Sequence, residues 1–236
     1  MAQSELFARF SQGTDAPPRY LPDLTLWYNW HRSRGTLSEP WQDLSLPEVA
    51  RAMGVPVWQP FRPWRVETPG IQVETIETEG ERTTTWQTPA GTLTARWTIG
   101  PDGDWWQAEV PVKSAADLDA ALALAQATTY LLEDSGLAAQ RAEVGEDGLL
   151  ALALPRRPYS DLLHDYLGWG EGLFYLAEPQ VDEILAALQA SLDRLVDRVA
   201  ALPGDVLLSP DNLDGQYISP RAFEQHLGAG YAHTAE

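Results

Sequence analysis

The stretch GLLALALPRR (residues 148–157) decides how the rest of the chain is read. Six apolar residues, Leu149 to Leu154, follow one another without alternation before a proline and two arginines. A strand with one wet face alternates apolar and polar side chains, whereas a strand covered on both faces is apolar throughout, as in a parallel sheet flanked by helices. GDVLL (204–208) has the same character, and LTLWYNW (24–30) and VPVWQPF (55–61) supply two further short apolar or aromatic runs. Helical patterns lie between them. LPEVARAMG (46–54) carries Pro47 in its first turn and Gly54 at its end, which are start and stop signals. Residues 179–202 place Val181, Ile184, Leu185, Leu188, Leu192, Leu195, Val196 and Val199 on one stripe. Burying those eight side chains is worth on the order of 12 to 24 kcal/mol gross, before conformational entropy is subtracted. SPRAFEQHL (219–227) opens with Ser219 as N-cap and Pro220 at the first helical position. Strands near residues 24, 55, 148 and 204 alternating with helices predict an α/β fold with a parallel sheet.

A different style fills residues 70–112. IQVETIET, RTTTWQT, GTLTARWTI and DWWQAEV alternate and are rich in β-branched and aromatic residues, with ETEGE, TPAG and GPDGD as turns. This predicts an antiparallel meander inserted at about residues 66–112. Ser114 followed by Asp117 is a capping-box variant that starts an Ala- and Leu-rich helix to about residue 127. Trp58, Trp64, Trp86, Trp97, Trp105 and Trp106 fit the core of the meander better than a platform for a flat ligand, although aromatic faces serve both.

Composition narrows the function. The 236 residues are 44% hydrophobic and contain no cysteine, which provides for a core and excludes disulfides and thiolate metal ligands within the chain. No stretch approaches the length of a membrane span, and the first residues lack a basic start followed by an apolar run, so a cytoplasmic protein is expected. The formal charge of −18 opposes nucleic acid and anionic membranes as partners. Lys113 is the one lysine; the other basic residues are arginines, grouped as Arg32 with Arg34, Arg62 with Arg65 and Arg156 with Arg157. Such forks suit carboxylate or phosphate, and equally suit pairing with acids on an acidic surface.

Three passages carry a resemblance. LPGDVLLSPDNLDGQYISPRAFEQHLGAGYA (202–232) resembles the uroporphyrinogen decarboxylase superfamily segment in which a strand ends in an acidic or serine-containing turn before an SP helix start. VPVKSAADLDAAL (110–122) resembles that superfamily's passage before a helix. LPRRPYSDLLHDYLGWGEGLFYLAEPQVDEILAAL (154–188) resembles its strand-end loop and following helix. Order and spacing agree over about residues 105–232, and more loosely from residue 4. The resemblance implies a TIM (β/α)8-type barrel with its active site at the carboxyl ends of the strands. It also implies that the chain is the N-terminal portion of one, a single incomplete barrel domain with the meander inserted.

Superfamily members decarboxylate a tetrapyrrole without a cofactor, or move methyl groups to or from corrinoid proteins or thiol acceptors. The decarboxylase pattern is broken here: YNWHRSRG stands in place of a glycine-spaced arginine pair, and VWQPFRPW offers no acid for the pyrrole nitrogens. His164 stands where decarboxylases place a tyrosine. The resemblance therefore implies methyl transfer more than decarboxylation, with a small molecule or a corrinoid protein as substrate. The zinc ligands of such methyltransferases correspond to positions beyond residue 236, so the cofactor expectation is none within this chain, with zinc and a corrinoid belonging to the full-length relative.

The candidate catalytic residues are Asp211, Asn212, Tyr217 and His164, and the candidate substrate-binding residues are Arg32, Arg62, Tyr159 and Asp214. Asp211, Asn212 and Asp214 follow a strand end within the turn-forming sequence SPDNLDG, so turn closure competes with function as their explanation. His31 beside Trp30 reads more simply as packing than as a base. Two other readings stay open: a non-catalytic half barrel that binds a ligand and dimerises through an open sheet edge, and carbohydrate chemistry, for which nothing places a second carboxyl across a sugar.

Overall fold

The computed structural model describes residues 21–100, 103–216 and 218–235. The described elements run α1 (Thr25–Ser33), α2 (Leu46–Ala52), β1 (Trp58–Phe61), β2 (Trp64–Glu67), β3 (Gln72–Thr78), β4 (Glu81–Thr88), β5 (Gly91–Ile99), β6 (Trp105–Glu109), α3 (Leu118–Ala127) and β7 (Thr129–Leu132). They continue with α4 (Leu137–Val144), β8 (Leu149–Ala153), α5 (Pro158–Asp161), α6 (Pro179–Ala200), β9 (Val206–Leu208), α7 (Pro220–His226) and α8 (Gly228–Ala235). A π turn (Leu162–Leu167) and a 3-10 turn (Glu171–Ala177) separate α5 from α6. The chain forms two compact units. One takes the described parts of Met1–Pro63, Asp134–Ala153 and Leu202–Leu208; the other takes Trp64–Glu133, Leu154–Ala201 and Ser209–Glu236.

The first unit is built on a parallel sheet in the order β1-β8-β9. The apolar run is its central strand: Leu149, Leu150, Ala151 and Leu152 are all buried, as a strand covered on both faces requires. The register pairs Trp58 with Leu149 and Ala151 with Val206. Asp205 fixes the entry to β9. Its Oδ2 accepts from the Leu150 N–H at 2.7 Å and from Arg141 Nη2 at 2.5 Å. Gly204 is required beside it, because a Cβ there would fall 2.3 Å from Leu152 Cγ.

The run at residues 24–30 is not a strand. Thr25–Ser33 is helical, so among the described residues three parallel strands form rather than the expected four. Seven residues are too few for periodicity to separate a short strand from a helix turn, and tertiary partners settle the matter. The Asp23 carboxylate accepts from the Thr25 N–H at 2.9 Å, and the Tyr28 hydroxyl donates to the Leu44 carbonyl at 2.7 Å. Tyr28 then packs with Leu37 and Val49, and Trp27 meets Trp41 edge-on.

The second unit holds the meander, a four-stranded antiparallel sheet in the order β3-β4-β5-β6, at the place the alternating pattern predicts. Leu93 and Ala95 are its fully buried positions. The tryptophans are not its core: Trp86 is partly buried against the core cluster, while Trp106 is 59% exposed. A second pair, β2 with β7 antiparallel, was not legible in the sequence; each strand has only four residues. The capping box of Ser114 and Asp117 forms as expected and leads into α3. The stripe on α6 buries Val181, Ile184, Leu188, Leu192, Leu195, Val196 and Val199, with Leu185 partly covered. Ser219 caps α7 by accepting from the Ala222 N–H.

The sheets of the described residues do not close into a barrel, and the described fold is mixed α/β. None of the described helices is long and apolar enough to cross a membrane.

Leu188 lies in the cluster joining α3 and α6 and is 1% exposed. Leu188→Ala should cost about 2 to 5 kcal/mol, seen as a lower urea midpoint with an unchanged slope; a loss below about 0.5 kcal/mol would show that α6 does not organise this core.

Candidate functional site

Both β8 and β9 hand the chain on to loops of the second unit, and those two loops meet. Asp211, three residues past β9, accepts the main-chain N–H of Arg157 on Oδ1 at 2.9 Å. Its Oδ2 accepts from Ser209 Oγ at 2.8 Å and from the Tyr231 hydroxyl of α8. One carboxylate thus joins the loop after β8, the loop after β9 and α8. Burial, followed by the hydrogen bond to Asp211, pushes the Tyr231 phenol up to about 12, so it remains the proton donor in that bond at neutral pH.

The other polar residues of the second loop serve the loop itself. Asn212 Oδ1 accepts from the Asp214 N–H at 3.2 Å, and Asp214 Oδ1 accepts from the Gln216 N–H at 2.8 Å. These are the local side-chain to main-chain bonds that Asn and Asp bring to turns. Tyr217 lies outside the described residues.

Tyr159 is buried and stacks on His226, with ring centroids 4.5 Å apart and planes 1° from parallel. Burial raises the Tyr159 phenol and lowers the His226 imidazole. Arg32 and Arg62 belong to the other unit. Arg32 bonds the Tyr28 hydroxyl one turn earlier on α1, and Arg62 follows β1 on an exposed stretch. Of the eight residues expected from sequence, Asp211, Asn212, Asp214, Tyr159 and His164 fall in one unit.

His164 sits in the π turn. Its Nδ1 lies 2.8 Å from the Ser160 carbonyl, and since a carbonyl only accepts, Nδ1 donates in that bond. The ring meets Trp169 edge-on at 5.0 Å. Both line a cleft of about 840 Å³ within this unit, together with Trp97, Trp105, Trp106 and Tyr175. Four charges on its wall are matched: Arg156 pairs with Asp165 at 2.7 Å, and Lys113 with Glu109 at 3.2 Å; Glu171 lines it as well. An aromatic cleft with a histidine on its wall suits a flat or ring-bearing molecule that needs stacking more than net charge.

Sequence reasoning missed Asp161. Part of its surface still reaches solvent, yet protein atoms crowd its carboxyl. That loss of hydration, then the neighbouring Asp165 carboxylate, raises its pKa well above the usual carboxylate range. Asp161 thus holds its proton to higher pH than a free carboxyl, a property that general acid–base work uses. The spacing of four residues on one helical turn was the available signal. Buried Arg157 and Ser160 were passed over as well, although the Arg156–Arg157 doublet was visible. Among the described residues no group of three His, Asp or Glu side chains is placed to hold a metal ion.

Asp161 gives a pH test whose sign is fixed. Its folded pKa lies above the ordinary carboxylate value of 3.8, so the folded state binds the proton more tightly than the unfolded state, and stability falls as pH rises from about 4. Asp161→Asn removes that slope. Urea titrations should show the variant gaining on the parent steadily from acid to neutral pH; a constant difference at all pH values would mean that Asp161 ionises normally.

Comparison of the chain with protein-family models, with curated proteins and with solved structures finds no match in any of the three.

Proposed function

We propose that the chain is a partial barrel of the uroporphyrinogen decarboxylase type, working in methyl transfer with a corrinoid protein or a thiol acceptor as partner, in the cytoplasm. The supporting observation is the meeting of the two loops that follow adjacent parallel strands through Asp211 and Arg157. In parallel α/β architectures such loops at strand carboxyl ends are where ligands bind. The capping box at Ser114 and the Ser219 cap lie within the resembling passages.

In this reading Asp211 positions the loops, Tyr159 and His164 face ligand on the same stretch, and the Asp161–Asp165 pair supplies or takes a proton. Asn212 and Asp214 shape the rim. Decarboxylation is the weaker alternative because residues 55–64 carry no acid to meet pyrrole nitrogens. Binding without catalysis has its own support, since the three hydrogen bonds that Asp211 accepts give it a structural task. A dimer of such half barrels belongs to that second reading.

The ten tryptophans provide a signal for the test. Titration with methylcobalamin, the free corrinoid, should quench their fluorescence saturably, and uroporphyrinogen should not be decarboxylated by the purified chain. Robust decarboxylation would replace methyl transfer with the alternative; absence of saturable quenching would overturn the corrinoid reading.

A further inference from the structure

The loop after β8 buries a cation without an anion. Arg157 is 1% exposed, and none of the ion pairs formed by the described residues involves it. Its Nη2 donates to Thr234 Oγ1 at 2.5 Å, and the guanidinium lies over the Tyr231 ring, 4.8 Å from the centroid. Nε and Nη1 have no partner. Three residues on, Ser160 is fully buried, and its Oγ has no partner either. Arg157 is the N-cap of the short helix that holds Ser160, so three unsatisfied polar groups belong to one buried segment.

Burying an ionised group without a counter-charge is strongly destabilising, and so is leaving its donors unmade. A chain with 34 acidic and 16 basic residues has no shortage of carboxylates for the task. Asp211 bonds the main chain of Arg157 and gives its second oxygen to Ser209 and Tyr231. On the other side stands Gly230 of α8, where a Cβ would lie 3.5 Å from Nη1. That is an ordinary van der Waals distance, so α8 passes close over the guanidinium. α8 contains no buried residue of its own and covers Arg157 through Thr234 and Tyr231.

We propose that Arg157 and Ser160 form an oxyanion subsite that takes the carboxylate or phosphate group of a small-molecule ligand. The guanidinium provides charge-assisted donors and the Ser160 hydroxyl a third, the chemistry by which arginine recognises either group. The inference rests on the reading of the two joined loops as the ligand face, and it does not require that the ligand be a corrinoid.

Thermal unfolding of the full chain in acetate, in inorganic phosphate and in chloride at matched ionic strength tests it. A ligand that binds only the folded state raises the melting temperature in a saturable way, so the parent should respond to acetate or phosphate beyond chloride, and the stronger of the two identifies the group. Arg157→Lys should weaken the apparent affinity by about tenfold or more, because the fork is lost. Arg157→Met should abolish the response and melt higher than the parent without anion. An equal response in parent and Arg157→Met means an adventitious ion only, and no saturable response in the parent overturns the proposal outright. Should Arg157→Met fail to fold, the Arg157→Lys comparison decides alone, an unchanged affinity overturning the proposal. Corrinoid binding retained without an oxyanion response defeats this inference only; the converse defeats only the corrinoid reading.

Discussion

The carboxylate of Asp211 holds the candidate site together. It accepts from the main chain of Arg157, from Ser209 and from Tyr231, and so ties two loops distant in sequence to the helix that covers them. Each bond is short-range, but their common acceptor makes them interdependent: without the carboxylate, a buried N–H and two hydroxyls lose their partner together. The positions of Arg157, Tyr159, Ser160 and Asp161 all follow from where that first N–H is anchored.

Around this anchor the unit treats charge in two ways. On the cleft wall Arg156 pairs with Asp165, and Lys113 with Glu109, which Arg96 also bonds. Glu109 is lowered below its ordinary value because Arg96 bonds it first and Lys113 second. Such exposed pairs add little to stability, and they leave the tryptophan faces as the main feature of the wall. Beneath the loops the treatment reverses: a buried arginine has no acid, and a crowded acid, Asp161, holds its proton to higher pH than a free carboxyl. Unpaired and proton-holding groups of that kind cost stability, and they gather where ligands and protons are handled.

Much of the scaffold was legible in the sequence because its signals are local. The unbroken apolar run at Leu149–Ala153 became the central strand, alternation became the meander, and Pro179, Ser114 and Ser219 began helices as their chemistry dictates. The failures are local signals too weak to stand alone. Residues 24–30 are a helix because Asp23, Leu44 and Trp41 supply its partners, and β2 and β7 form only because four-residue segments found each other.

The site divides along the same line. Sequence by itself determined the residue types at the strand ends: the SPDNLDG turn, the arginine doublet and a histidine in the following turn. It also excluded thiolate chemistry, since the chain has no cysteine. Which of those residues act together was a matter of tertiary structure alone. Asp211 proved to be an anchor, Asn212 and Asp214 closed their own turn, and Asp161, Arg157 and Ser160 emerged through burial. Burial and the pairing of distant polar groups depend on what the fold places around an atom, and no short window of sequence contains that neighbourhood.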